Sequence, residues 1–285
     1  MKELLRDSLA CPVCSQSFTT QNDRLVCQGC AYSVPVEAGK PIFTRPPQNL
    51  IPSEKIERRA DTGTPWRQAN WKFLQQQISR LDADTLFLDV GAGRGDFASL
   101  FQNRPYLALD IYPYPEVDFV CDLTQCIPLR RGHFGAVVLM NVLEHVYDSR
   151  GFFGALAQLL KPGGALIVAI PFMVKIHQAP VDFVRYTEFA LEQLGKEHGL
   201  QIETLEGYYD PISLLGEGIN NLRWSVLPDV RGPRHYLGRA LLYGIQGLAK
   251  GMSAVLGPGQ SVSPQGMRSK APVGYQVVYR RPVKE

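Results

Sequence analysis

An apolar run that ends in a carboxylate, Leu86-Phe-Leu-Asp89, leads straight into a loop with glycines at positions 91, 93 and 95. No other stretch constrains the fold as tightly. A buried strand opens at its C-terminal end onto a glycine turn, the edge where open α/β sheets bind ligands. Glycine there lets the backbone approach a ligand and take dihedrals closed to other residues. An amphipathic helix is expected to start near Asp96. The spacing departs from the dinucleotide fingerprint G-x-G-x-x-G, which seats a pyrophosphate on a helix N-terminus. The third glycine comes one residue early, and Asp96 stands where the fingerprint wants glycine. Asp89 adds a second carboxylate toward the loop. A pyrophosphate would be repelled, whereas a ligand carrying an ammonium group would be held.

Further apolar runs follow in order. Asp110, twenty-one residues after Asp89, closes the run Tyr106–Asp110 and occupies the position suited to a ribose diol. Val117–Leu123 reads as a third strand, with Asp122 placed to accept from an adenine amino group. His133–Asn141 reads as a fourth, followed by Val142-Leu-Glu144-His145. Leu159–Gly164 is expected to end a helix at Pro162 and the glycine pair. Ala165–Ile170 is a fifth strand, and Gln201–Tyr209 and Gly274–Arg281 a sixth and seventh. Apolar strands alternating with helical stretches predict a parallel sheet buried on both faces.

DVGAGRG, LALD, CDL, FGAVVLMNVLEHV and LLKPGGALIVAIPF, in that order, resemble the motifs of class I S-adenosylmethionine-dependent methyltransferases, in particular the type 11 small-molecule subgroup. The resemblance covers roughly Asp84 to Tyr209. It implies an α/β, Rossmann-like fold with a seven-stranded mixed sheet. It implies S-adenosylmethionine as cofactor, whose ammonium and sulfonium suit an acidic loop. It further implies that Asp89, Gly91, Gly93 and Gly95 line the methionine end. Asp110 would take the ribose, Asp122 and Leu123 would flank the adenine, and Asn141 would close the pocket near the sulfonium.

A second pattern stands at the N-terminus. Cys11-Pro-Val-Cys14, twelve residues, then Cys27-Gln-Gly-Cys30 has zinc-ribbon spacing. Four thiolates suit one tetrahedral, structural Zn²⁺. Two disulfides are the competing reading. The segment resembles the small zinc-ribbon family that partners or activates methyltransferases, here fused in cis. A ribbon this small cannot hold a core alone, so metal would supply folding energy. Cys121 and Cys126 read as free thiols flanking a loop on the cofactor side.

These signals divide the chain into a ribbon (1–44), a linker with N-terminal helices (45–83) and a methyltransferase domain (84–285) with a helical insertion (212–270) before the last strand. Thr44–Pro52 is proline-rich and expected to be extended. A charged helix is expected from Ser53 to Arg59. Trp66, Trp71, Phe73 and Leu74 fall on a further helix, which packs on the sheet or forms a lid over the cofactor mouth. With 285 residues, 45% of them hydrophobic, the chain can bury one large core plus a small module. The charged start MKELLRDSLA lacks the apolar length of a signal peptide, and no run reaches the roughly 18 apolar residues of a spanning helix. A cytoplasmic protein with reduced thiols is expected.

The acceptor side is read from Pro171–Thr187 and from the insertion. His177, Asp182, Arg185 and Tyr186 cluster after the fifth strand. The pattern H-x-x-P-x-D-F-x-R-Y-T resembles the corresponding loop of many type 11 members. Asp182 and Arg185 are suited to pair, Tyr186 to pack with a polar tip, and Thr187 to cap a helix. His177 and His145 are the candidate catalytic bases, although a lone histidine is more often satisfied by its neighbours. In the insertion, Leu237, Leu241, Ile245, Leu248, Met252 and Val255 recur at helical spacing. The stripe reads as a helical cap packed in the core. The alternative is a peripheral membrane contact through 235–256, at the inner face, that meets a lipid-linked substrate. Ser261–Ala271 reads as a loop.

The expected function is methyl transfer from S-adenosylmethionine to a small-molecule or glycan- or lipid-linked acceptor, with oxygen a candidate acceptor atom. A ribosomal RNA methyltransferase is the runner-up. Against it, a net charge of +3 is small, the ribbon carries few basic residues such as Arg24 and Lys40, and no aromatic-basic interleaving marks a base-stacking surface. A non-catalytic cofactor-binding scaffold is the third reading. Oligomeric state is not set by these features.

Overall fold

The computed structural model describes residues 2–46, 63–210, 214–216, 218–219, 221–222, 230–256, 260–262 and 272–283. After helix α1 (Glu3–Ser8), four short strands form an antiparallel sheet in sequential order: β1 (Phe18–Gln21), β2 (Arg24–Cys27), β3 (Ser33–Glu37) and β4 (Lys40–Pro41). Helix α2 (Pro65–Ser79) then leads into the large sheet. Thr64 caps α2 by accepting from the Arg67 N–H, and Pro65 stands at its first turn, where its missing N–H costs nothing.

The parallel part of the large sheet comprises β5 (Phe87–Val90), β6 (Tyr106–Asp110), β7 (Phe119–Val120), β8 (Phe134–Met140) and β9 (Leu160–Pro171). Strands β10 (Gln201–Tyr209) and β12 (Gly274–Arg280) add antiparallel pairing, with β12 inserted between β9 and β10. The seven expected strands are thus present as a mixed sheet. Among the described residues an eighth, β11 (Gln260–Val262), comes from the insertion and pairs with the outer edge of β10, giving the order β11-β10-β12-β9-β8-β5-β6-β7. Every residue of β5 and β8 is buried, as a parallel sheet covered on both faces requires. Phe73, Leu74 and Ile78 of α2 cover one face over Phe87, Val138 and Ile167. Helices α3 (Ser149–Leu159) and α4 (Glu188–Glu197) cover the other with Phe153, Leu156, Leu191 and Leu194. Asp148 caps α3 and Thr187 caps α4.

The ribbon is continuous with this core. Leu5, Leu9, Phe18, Leu25, Val34 and Phe43 belong to the same buried cluster as Phe119, Cys121 and Leu129. Ile42 bridges Val120 in parallel, and Phe43 N–H donates to the Val120 carbonyl at 2.9 Å. Leu9 bridges Leu129, and the Arg130 guanidinium donates to Ser17 Oγ at 2.8 Å. The N-terminal module therefore covers the β7 edge, which would otherwise present unpaired backbone groups.

Four expectations are corrected. The helix expected near Asp96 is only a 3₁₀ turn, Ala98–Phe101. Asn103 takes the left-handed region at φ 65°, and Pro105 disfavours helical geometry at Arg104, so no full helix can propagate. A helix does end in the stretch Leu159–Gly164, at Leu159, but Pro162 and the glycine pair do not stop it: Leu160–Gly164 already belong to β9, where Leu160 pairs with Phe134 and Gly163 N–H donates to Arg281 O. The stripe of the insertion helix, α5 (Pro233–Leu256), is not packed in the core: Leu237, Leu241, Ile245, Leu248, Met252 and Val255 are 42–83% exposed. Ser261 and Val262 are strand, not loop. No described helix is long and apolar enough to cross a membrane. The charged helix expected at Ser53–Arg59, most of the proline-rich linker and most of Ser261–Ala271 lie outside the described residues.

Candidate active site

At the C-terminal ends of β5 and β6 the glycine loop is tied down by acids. Asp110 Oδ2 accepts from Gly93 N–H at 2.9 Å and Oδ1 from Tyr112 N–H at 3.0 Å. Burial pushes the Asp110 carboxyl up, and these N–H donors pull it back. Asp89 is buried on the α2 face and accepts from the Tyr106 hydroxyl at 2.8 Å. Its carboxyl is pushed up to about 7, chiefly by burial, with Asp110 and Asp96 adding to the shift and Tyr106 opposing it. Asp96 pairs with Arg67 of α2, so that helix also braces the loop.

Gly91 is fixed by sterics. It has φ +72°, and a Cβ there would lie 2.5 Å from Val142 Cγ2. The glycine loop thus touches the segment that follows β8. Gly91→Ala would combine a left-handed backbone penalty of about 1–2 kcal/mol with this clash. A drop in urea-unfolding free energy of about 2 kcal/mol or more is expected, and an unchanged midpoint would show that the loop relaxes freely.

Asn141 also takes the left-handed region, at φ 55°, and its Oδ1 accepts from the Trp66 indole N–H at 3.0 Å. The Trp66 ring lies against Gly274, where a Cβ would come within 2.6 Å of it. The middle of helix α2 packs on the sheet, one of the two readings offered for it, and its first turn reaches Asn141 at the end of β8. The Asp122 carboxylate accepts from Thr124 N–H at 2.9 Å and from Gln125 Nε2 at 2.7 Å, closing the turn after β7. Asp122 N–H donates to Thr44 Oγ1 at 2.7 Å, linking this turn to the ribbon, and Leu123 beside it is buried.

The two candidate histidines come together although they are 32 positions apart. Their ring centroids lie 4.9 Å apart. His145 Nδ1–H donates to Val181 O at 2.6 Å, and His177 Nδ1 faces Asp182 Oδ2 at 3.3 Å. Asp182 is paired with Arg185 as expected, with Nη2 to Oδ2 at 2.8 Å, and its carboxyl is held below the usual range first by that guanidinium. Tyr186 packs with its hydroxyl on Ser149 Oγ at 2.7 Å. Glu144, to which sequence reasoning gave no role, lies between the histidines. It is fully buried, and neither of its carboxylate oxygens has a hydrogen-bond partner. Burial pushes its carboxyl up to about 8 and pushes His145 down. A lone carboxylate directly before His145, after the apolar pair Val142-Leu143, was the available signal.

At the N-terminus the four ribbon sulfurs converge. Cys14–Cys27, Cys14–Cys30 and Cys11–Cys30 are separated by 3.3, 3.6 and 3.7 Å. A disulfide needs about 2.05 Å, whereas sulfurs about 2.3 Å from a tetrahedral zinc lie roughly 3.8 Å apart. The donor set and spacing fit zinc and not two disulfides. Cys121 and Cys126 are also free thiols, with sulfurs 3.7 Å apart.

Residues 66–205 match a family model described as a methyltransferase domain. Over that stretch the chain is similar to methyltransferase domains. Relatives of this domain include a ubiquinone biosynthesis O-methyltransferase of Rhodopseudomonas palustris, 32% identical over 34% of this chain and 34% of that protein. Another of the same name, from Xanthomonas oryzae, is 29% identical over 44% and 45%. A tRNA U34 carboxymethyltransferase of Syntrophotalea carbinolica is 29% identical over 37% and 38%. The chain thus spans about a third to under half of the length of these curated relatives. Among solved structures, a putative sarcosine dimethylglycine methyltransferase from Galdieria sulphuraria aligns with a TM-score of 0.45 at 13% identity, over 76% of this chain and 87% of that one.

Proposed function

We propose that the domain transfers the methyl group of S-adenosylmethionine to an oxygen of a small hydroxylated acceptor. The observation that carries this is the contact between the glycine loop and the segment Asn141–His145. It sets the loop and its acids beside buried Glu144 and half-buried His145 and His177 at one sheet edge. The names of the O-methyltransferase relatives support oxygen as the acceptor atom. On this reading Asp89 and the loop receive the methionine end, Asp110 the ribose, Asp122 and Leu123 the adenine, and Asn141 the region of the sulfonium. His145 and His177 face the acceptor. The sulfonium needs only an aligned nucleophile about 3 Å from its methyl carbon and exclusion of water. The C–S bond breaks as the O–C bond forms, its electron pair staying on sulfur. The hydroxyl proton goes to a base. Zinc on Cys11, Cys14, Cys27 and Cys30 is structural and holds the module that covers the β7 edge.

Incubation with methyl-labelled cofactor and panels of hydroxylated aromatics, amines and bulk tRNA tests the reading. Label in an ether product is expected. Label confined to amines or to tRNA overturns it, the latter in favour of an RNA substrate.

Asp89 predicts a pH dependence. Its folded carboxyl titrates near 7, above the unfolded value of about 3.9. The folded chain therefore holds the extra proton between those values, and stability from this group falls as pH rises across them. A cationic ligand prefers the ionised form. Cofactor affinity should therefore rise by up to about tenfold per pH unit toward pH 7. Calorimetric titration from pH 5.5 to 7.5 reads this, and Asp89→Asn should flatten the profile.

A further inference from the structure

Glu144 is a poor fit to any purely structural role. Its side chain is fully buried, both oxygens lack a partner, and two imidazoles stand beside it. His145 Nε2 lies 3.6 Å and His177 Nε2 3.8 Å from Glu144 Oε1. Both distances are too long for good hydrogen bonds. His145 Nε2 is itself buried without a partner.

The other ring nitrogen of each histidine meets only acceptors. His145 Nδ1 faces Val181 O, and His177 Nδ1 faces Asp182 Oδ2 at 3.3 Å and Lys175 O at 3.2 Å. A carbonyl or carboxylate can only accept, so Nδ1 carries the proton in each ring. Each Nε2 then presents a lone pair toward Glu144. This is the arrangement by which outer carbonyls and carboxylates fix the tautomer of metal-ligating histidines. Asp182 is in turn fixed by Arg185 and by the His177 backbone N–H at 2.8 Å. Phe183 N–H donates to the Glu144 carbonyl at 2.8 Å, which pins the loop bearing His177 onto the turn bearing Glu144 and His145.

We infer that Glu144, His145 and His177 form a binding site for one divalent first-row transition-metal ion. Three donors each about 2.1 Å from an ion lie roughly 3.0–3.4 Å apart; the Glu144 spacings of 3.6 and 3.8 Å are a little longer, and all three donor atoms lie within 4.8 Å of one another. Two imidazoles with one carboxylate suit Mn²⁺, Fe²⁺, Co²⁺ or Zn²⁺ better than the all-oxygen preference of Ca²⁺ or Mg²⁺. Three protein ligands leave positions open for an acceptor oxygen. The site is separate in ligands and chemistry from the four-thiol ribbon. What the ion does for the acceptor rests on the methyl-transfer reading: a coordinated hydroxyl loses its proton to solvent more readily, and the resulting oxyanion attacks the methyl carbon. The site itself does not depend on that reading.

The test is calorimetric titration of ribbon-zinc-loaded protein with Mn²⁺ and, separately, with Zn²⁺, alongside titration with S-adenosylmethionine. One further ion per chain is expected. Glu144→Gln and His177→Ala should each weaken it by at least tenfold, and Asp182→Asn, which touches no ion, by about 10- to 100-fold. Cofactor titration of each variant verifies that it is folded. Absence of a further equivalent of either metal on the wild-type chain overturns the inference. So does uptake that survives all three substitutions unchanged. Cofactor binding without a further ion would sink the metal site and leave the methyltransferase reading standing. A further ion without cofactor binding would do the reverse.

Discussion

Cys14→Ser is expected to abolish chelator-resistant zinc, from one ion per chain to none, and to lower Tm by about 10 °C or more. A structural zinc supplies roughly 10–16 kcal/mol in isolated zinc-finger peptides, and loss of a few kcal/mol moves Tm of a chain this size by about 2–4 °C each. The effect should reach past the ribbon because the ribbon has no separate core. Phe43 packs edge-on to Phe119 with centroids 6.1 Å apart, and Phe18 packs on Phe43 at 5.9 Å. Loosening β1–β4 therefore uncovers β7. It also frees Thr44 from Asp122 and Lys40 from the Pro115 carbonyl, which it meets at 2.8 Å. Weaker cofactor binding in the same variant is the second expected readout. Zinc loss with unchanged Tm and cofactor affinity would make the ribbon an independent appendage.

Asp110→Ala is expected to raise the dissociation constant for S-adenosylmethionine by about 100-fold. Two hydrogen bonds from a ribose diol to a carboxylate, each about 1.5 kcal/mol, account for that factor. The same substitution leaves the Gly93 and Tyr112 N–H groups without their acceptor, so the loop loosens as well. Asp110→Asn separates the two effects. It keeps an acceptor for one N–H and should recover loop order, seen as restored Tm, more than affinity. Undiminished affinity in Asp110→Ala would remove this residue from the cofactor site. Neither experiment depends on knowing the acceptor.

The central sheet was legible because its strands are buried on both faces and so read as apolar runs: Tyr106–Asp110 and Phe134–Met140 fall where expected. The four-cysteine pattern was legible because metal geometry fixes ligand spacing within each knuckle. The turn after Gly95 was not, since its apolar spacing mimics a helix and only the strain at Asn103 with Pro105 ends it after one 3₁₀ turn. The stripe on α5 was read as core because periodicity reports amphipathicity, not what lies opposite. Its exposure is a fact of where the insertion sits.

Local order along the chain thus determined the parallel sheet, the glycine loop with its acids and the thiol knuckles. Each is written in a short window, where burial, backbone freedom or ligand spacing leaves a periodic mark. Tertiary structure alone decided that the ribbon completes the β7 edge, that Trp66 reaches Asn141, and that Glu144 stands unpaired between His145 and His177. Those contacts arise only when separate segments pack together: the ribbon on β7, α2 at the end of β8, and the loop after β9 on the turn after β8. No spacing along the chain encodes a distance across it.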